Sequence, residues 1–267
     1  MNNLASSLRG KSAGGQKLLS IFLTAGFPTK YATVPLLRGI AESGADVIEL
    51  GIPFSDPIAD GPVIQQSSDI ALRNGMTIDA ILGCVKEART TTSVPIVLMG
   101  YLNPILAYGV ERFMRNCSDA GVNGTIVADL PLEAARSYRE QAESRDISPI
   151  FLAAPTTTDA RLMKLDAASS GFLYCVSITG VTGERQAISP QTMAFLKRVR
   201  SVVTKNPILA GFGIATPDDA RAMAAMTDGI VIGSAMISRL AQSSSGSEVA
   251  EARSFVASVR HALDSGD

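Results

Sequence analysis

Histidine is nearly missing from this chain of 267 residues: its single copy, His261, lies in the last helix-like stretch. One imidazole cannot build a His-based metal cage, and its position argues against a Ser–His or Cys–His nucleophile pair. Cysteine is scarce too. Cys84, Cys117 and Cys175 lie far apart without CxxC spacing, so neither a zinc site nor a disulfide framework is expected, and a reducing cytoplasm is the natural compartment. No apolar run approaches the roughly 18 residues that cross a bilayer, and the N-terminus has no apolar leader core. The start is free of acids up to Glu42 and contains serines, as transit peptides do, but strand-like sequence already begins around Leu18. Neither sign of charge dominates. With 24 Lys+Arg against 25 Asp+Glu, the net charge of −1 supplies no footprint for nucleic acid or an anionic membrane. The chemistry must therefore run on carboxylates, backbone dipoles or a borrowed cofactor.

What is abundant is apolar sequence, with 46% hydrophobic residues against 18% charged, enough for a large core. Short apolar or β-branched runs recur at Leu19–Thr24, Val47–Leu50, Ile96–Met99, Thr125–Ala128, Pro149–Leu152, Phe172–Val176, Ile208–Ala210 and Ile230–Ile232. Each is followed by turn residues and a stretch with helical spacing. Continuous apolar runs suit strands buried on both faces, and the helical stretches supply parallel crossovers. Eight such repeats in a chain of this length predict an α/β fold, a single (β/α)₈ TIM barrel. Extra helices are expected where Val63–Arg73 and Ile78–Arg89 share one connection. Helix starts are expected at Thr158-Asp159, Ser189-Pro190 and Thr216-Pro217-Asp218-Asp219, with Ser247 capping a closing helix. One domain is expected over 1–267: a helical segment at 1–17, the barrel at 18–241 and the closing helix at 248–263.

Barrel active sites lie at the C-terminal ends of the strands. After the second strand runs Glu49-Leu50-Gly51-Ile52-Pro53-Phe54-Ser55-Asp56-Pro57-Ile58-Ala59-Asp60-Gly61-Pro62. Glu49 alternates with Ile48 and Leu50, which aims it into the barrel. It is either a buried carboxylate held by hydrogen bonds or a general acid/base whose pKa is raised by desolvation. Asp60 ends a proline-braced loop that folds back over the same mouth; its plain alternative is to cap the helix starting near Pro62. Asp56 has the weakest case, because Asp-Pro is ordinary turn chemistry. Gly180-Val181-Thr182-Gly183, Gly211-Phe212-Gly213 and Gly233-Ser234 follow three consecutive strands at one end of the barrel. Glycine lets backbone N–H groups approach an anion, so the set reads as a phosphate cradle that needs no lysine or arginine. None of the seven lysines falls at the C-terminal end of a strand, which disfavours a Schiff-base aldolase. No Asp/Glu/His cluster supports a metal-dependent one, so no metal site is expected.

The run ELGIPFSDPIADGP at 49–62, with GVTG at 180–183, GFGI at 211–214 and GSA at 233–235, resembles the tryptophan synthase α-subunit family, in order and along the whole chain. The resemblance implies a lyase that cleaves indole-3-glycerol phosphate to indole and glyceraldehyde 3-phosphate. It makes Glu49 and Asp60 the catalytic acids, with Glu49 moving protons and Asp60 accepting a hydrogen bond from the indole N–H. Phosphate would rest on Gly183, Gly211, Gly213, Gly233 and Ser234. Indole would sit among Phe22, Met99, Ala128, Leu152, Tyr174 and Phe212 under a lid carrying Thr182, although barrel packing explains these apolar residues equally well. Tyr174 would also bring its hydroxyl towards Glu49. Pro53, Asp56 and Pro57 match the side that meets a β-subunit. That partner carries pyridoxal phosphate and takes the indole in an α2β2 heterotetramer, while this chain holds no cofactor. Ala215 and Glu184 depart from the family, which usually has Ser and a small residue there. A stand-alone lyase and a weakly active regulatory subunit remain alternatives, and another phosphosugar isomerase has fold-level support only.

Overall fold

In the computed structural model, which describes residues 3–176 and 189–265, the apolar runs become parallel strands buried on both faces. They are β1 (Leu18–Thr24), β2 (Val47–Gly51), β3 (Ile96–Gly100), β4 (Gly124–Val127), β5 (Ser148–Ile150), β6 (Leu152–Ala153), β7 (Leu173–Val176), β8 (Ile208–Gly211) and β9 (Gly229–Ile232). Their order, β5-β4-β3-β2-β1-β9-β8-β7-β6, is that of a (β/α)₈ barrel whose fifth strand is in two pieces. The expected single strand Pro149–Leu152 breaks at Phe151. Its N–H leaves the ladder for the Ser169 hydroxyl at 3.1 Å, while its carbonyl accepts from the Tyr174 N–H at 3.1 Å. β5 thus pairs with β4 and β6 with β7, and the ring closes through one chain segment.

The helices are α1 (Asn3–Ala13), α2 (Thr33–Glu42), α3 (Pro62–Arg73), α4 (Ile78–Ala88), α5 (Leu102–Tyr108), α6 (Val110–Ala120), α7 (Arg136–Glu143), α8 (Asp159–Ala168), α9 (Pro190–Val202), α10 (Pro217–Ala224), α11 (Ser234–Gln242) and α12 (Glu248–Asp264). Hydroxyl caps start three of them where expected: Thr158, Ser189 and Thr216 each accept a backbone N–H, and Thr216 forms a capping box with Asp219. Such caps contribute roughly 1 kcal/mol each. Ser247 occupies the N-cap of α12 but makes no cap bond. Its backbone is already helical, and its hydroxyl donates to the Ser244 carbonyl at 2.7 Å.

Strand alternation sorts the core into two parts. Leu18, Val47, Val97, Ile126, Ile150, Phe172, Leu209 and Val231 fill the barrel interior, and Leu4 and Leu8 of α1 pack with them. Leu19, Ile21, Ile48 and Leu50 point outward into the layer shared with the helices. The interior is packed solid around the N-terminal halves of the strands, so open space is left above their C-terminal ends.

Candidate active site

Glu49 is an acidic exception inside that interior. The register sets it between Phe22 of β1 and Val97 of β3, with Ile48 and Leu50 facing outward. It is 0% exposed. One carboxyl oxygen, Oε1, accepts a hydrogen bond from the Ser20 hydroxyl at 2.7 Å, and the other, Oε2, has no partner among the described residues. Burial pushes its pKa up to about 7, against the opposing pull of the Ser20 bond. Ser20 escapes a reading that searches only the residues after each strand, yet a hydroxyl amid the apolar run Leu18–Thr24 was the available signal.

Above Glu49 opens a cavity of about 1,060 Å³. Phe22, Met99, Ala128, Leu152 and Tyr174 line it, as does Asp60, whereas Glu49 lies just behind the lining. Glycine at 51 makes room for the Phe22 ring, since an added Cβ would fall 2.6 Å from Phe22 Cζ. Two of the expected contacts differ. Phe212 is not among the residues lining the cavity; its ring packs on Phe195 of α9 with centroids 6.3 Å apart. The Tyr174 hydroxyl makes no hydrogen bond with Glu49 and lies against Gly211, where an added Cβ would fall 2.7 Å from it.

Asp60 is placed by a loop tied down residue by residue. Ile58 donates to the Asp56 carbonyl at 2.9 Å, Asp60 donates to the Pro57 carbonyl at 3.0 Å, and Gln65 donates to the Asp60 carbonyl at 2.8 Å. The Ala59 N–H donates to the Tyr101 hydroxyl at 3.1 Å, and the Tyr101 ring packs on Phe54 at 5.4 Å. Burial raises the proton affinity of Asp60, while the Tyr101 hydroxyl lowers it. Gly61, not Asp60, holds the N-cap of α3, without a side-chain cap bond, so the capping role does not describe Asp60. Tyr101, buried at the end of β3, is the second residue the sequence reading passed over, although a residue at that end of a strand fits the search rule.

The opposite wall is made of backbone. Gly211, Gly213, Gly233 and Ser234 line it together, Gly233 forming the N-cap of the short helix α11. Four unpaired N–H groups at such a helix start, with the dipole behind them, attract an anion. Gly213 has φ +64, a left-handed conformation that favours glycine. Further along, Ser238, Arg239 and Gln242 of α11 also line the cavity, so a cation stands at this end; Arg239 pairs with Glu251 at 2.8 Å. Thr182 and Gly183 lie outside the described residues, as does Glu184. On the loop after β2, Asp56 is exposed and accepts from the Ser55 hydroxyl at 2.5 Å, and Ile58 is 85% exposed. Pro53 and Pro57, expected at a contact face, are buried within the chain itself. No group of three metal-ligating side chains occurs among the described residues.

A parallel (β/α)₈ barrel with two carboxyls whose proton affinity burial raises at one end of a cavity and amides of a glycine wall at the other defines a barrel enzyme class that acts on small anionic substrates. The family model of the tryptophan synthase alpha chain matches residues 9–264. The alpha chain of Pelobacter propionicus is 47% identical over 270 residues, covering 100% of this chain and 99% of the relative. That of Geobacter sulfurreducens is 43% identical, covering 98% of this chain and 99% of its own. In structure, tryptophan synthase from Mycobacterium tuberculosis superposes with a TM-score of 0.90 at 32% identity over 99% of both chains. The alpha chain from Legionella pneumophila gives 0.89 at 36% identity over 99% and 98%. This chain belongs to the tryptophan synthase alpha chain family.

Proposed function

We propose that Glu49 and Asp60 carry out the family's lyase reaction in this chain, the cleavage of indole-3-glycerol phosphate to indole and glyceraldehyde 3-phosphate. The observation that carries this reading is a fully buried Glu49 with a pKa of about 7 beside a cavity walled on its far side by glycine backbone. The reaction begins with a proton gained and ends with one returned. Protonated Glu49 gives its proton to indole C3, leaving positive charge on the ring nitrogen. The glycerol hydroxyl next to C3 then gives its proton back to Glu49 as the C–C bond breaks. The bonding pair returns to the indole ring, and the hydroxyl carbon becomes the aldehyde. A carboxyl of ordinary pKa would rarely hold the starting proton at neutral pH; burial supplies it. Because Glu49 lies behind the cavity lining, rotation about its side-chain bonds must bring it to the substrate. Asp60 accepts the indole N–H hydrogen bond, which strengthens as charge develops there. The apolar floor of Phe22, Met99, Leu152 and Tyr174 suits the bicycle, and the amides at Gly211, Gly213, Gly233 and Ser234 suit the phosphate.

The family name implies a β-subunit partner. In our reading the exposed Asp56 and Ile58 face it, the pair assembles as an α2β2 heterotetramer in the cytoplasm, and pyridoxal phosphate belongs to the partner. No described helix is long and apolar enough to cross a membrane. Indole release from indole-3-glycerol phosphate, measured with and without added β-subunit, tests the reading. Release that rises on addition supports a coupled enzyme; no release under either condition overturns the proposal.

A further inference from the structure

The seven residues of β1, Leu18–Thr24, are all buried, and Ser20 is one of only two hydroxyls in that run. Its position is specific. β1 and β2 run parallel with Ser20 opposite Val47 and Phe22 opposite Glu49, so Ser20 points inward one layer below Glu49. Both side chains are 0% exposed, and the Ser20 hydroxyl donates to Glu49 Oε1 at 2.7 Å. The interior packed around and below them is hydrocarbon: Leu4, Leu18, Val47, Val97, Phe172 and Leu209. A carboxyl in such a place has every reason to leave it or to stay protonated unless something polar meets it. Among the described residues only Ser20 does, since Oε2 finds no partner.

We propose that Ser20 is a positioning residue for the reaction: its hydroxyl holds Oε1 of Glu49 in the ligand-free enzyme and leaves Oε2 as the oxygen that carries the proton. The geometry separates the two oxygens. A serine hydroxyl that donates to Oε1 favours the proton on the other oxygen, because a proton on Oε1 would have to share that space. The same bond also favours the ionised carboxyl, so it holds Glu49 near neutrality against burial that would otherwise drive it higher. Few other groups compete for this control. Phe22 and Val97 flank Glu49 on the neighbouring strands, Tyr174 of β7 faces it with a neutral hydroxyl whose own proton affinity burial raises, and Asp60 is the other acid on that side of the cavity. Without the hydroxyl, Glu49 should still fold in place, since alanine keeps the Cβ and the surroundings are apolar.

The proposal rests on Glu49 being the proton carrier, and the test separates the two claims. The Glu49 carboxyl carbon is followed by 13C NMR through a pH titration of the full chain, and the pH profile of kcat/KM, which reports the free enzyme, is measured alongside. In Ser20→Ala the titration should move to higher pH by about half to one unit, a three- to tenfold change in the dissociation constant, as loss of one hydrogen bond to a carboxylate entails. The alkaline limb of kcat/KM should move with it, and Ser20→Thr, which keeps the hydroxyl, should bring both back. An unmoved titration in Ser20→Ala overturns the role of Ser20. A titration that moves while the kcat/KM limb stays put overturns the assignment of Glu49 as proton carrier, and with it any catalytic meaning of the Ser20 bond.

Discussion

The two ends of the cavity solve opposite problems. At one end Glu49 is a charged group type placed where charge is costly, and its altered proton affinity is the chemical resource. At the other, Gly211, Gly213 and Gly233 contribute by having no side chain, so an anion meets amides and a helix start directly. The first end depends on what surrounds one side chain; the second depends on what is left out. Substitution should therefore act differently at each. At the carboxyl end it should change rate and pH dependence with little change in shape. At the glycine end it should change binding through shape alone.

The sharpest break in that contrast comes from Glu49→Gln, which keeps the side chain's size but not its proton. Indole release should fall by at least about 10³-fold, the range that positioned acid–base groups supply, with the circular dichroism spectrum unchanged. Near-normal turnover would remove the carboxyl end from the mechanism. The same variant carries a stability signature. The Glu49 pKa rises from 4.5 unfolded to about 7 folded, so the folded state retains a proton that the unfolded chain has released between those values. The protonated group's contribution is fully present below about 4.5 and is lost as pH rises through 7, a cost of about 3 kcal/mol at most. Urea unfolding should accordingly find Glu49→Gln more stable than the parent at pH 8, with the difference shrinking towards pH 5.

Asp60→Asn should act next most strongly. It leaves the loop's backbone ties to Pro57, Gln65 and Tyr101 in place and removes only the charge that answers the indole N–H. Turnover should fall about 100-fold, as for other groups that stabilise developing charge, while binding of glycerol phosphate by calorimetry stays within about twofold. A variant that lost phosphate-compound binding instead would place Asp60 at the glycine end.

How much of this was legible in the chain follows the same division. Glu49 could be read because alternation with Ile48 and Leu50 settles which face it takes, and burial then follows from the barrel. The glycine wall could be read because Gly211, Gly213 and Gly233 stand at or just past the ends of two consecutive strands. What alternation cannot show is which polar neighbour meets an inward residue, because register between strands decides it. Ser20 is hidden for that reason, a layer below the strand ends, whereas Tyr101 stands at a strand end but matters only through a loop 42 positions earlier. Phe212 was misplaced because a residue between two glycines has no sequence signal for its side chain's direction, and here the ring finds Phe195. The split fifth strand turns on a single serine, Ser169, that captures one backbone N–H.

The smallest effects test whether the glycine end works by shape. At Gly211 an added methyl would meet Tyr174 Oη at 2.7 Å and Cε2 at 3.0 Å, so the tyrosine ring must shift along the cavity floor. Overpacking of this kind costs about 1–3 kcal/mol, and Gly211→Ala should raise KM by about tenfold with a smaller loss in kcat. At Gly233 the nearest atom to an added methyl is Phe22 Cβ at 3.6 Å, an ordinary contact, and φ is −116. The protein therefore has room for the methyl of Gly233→Ala, and thermal unfolding should stay within a few degrees of the parent. Only a bound phosphate pressed against the Gly233 backbone would notice the methyl, so KM should rise about threefold for the phosphorylated substrate. The threefold rise should vanish when binding of indole alone is measured, whereas the Gly211→Ala loss should persist, because the first methyl obstructs the anion and the second obstructs the ring.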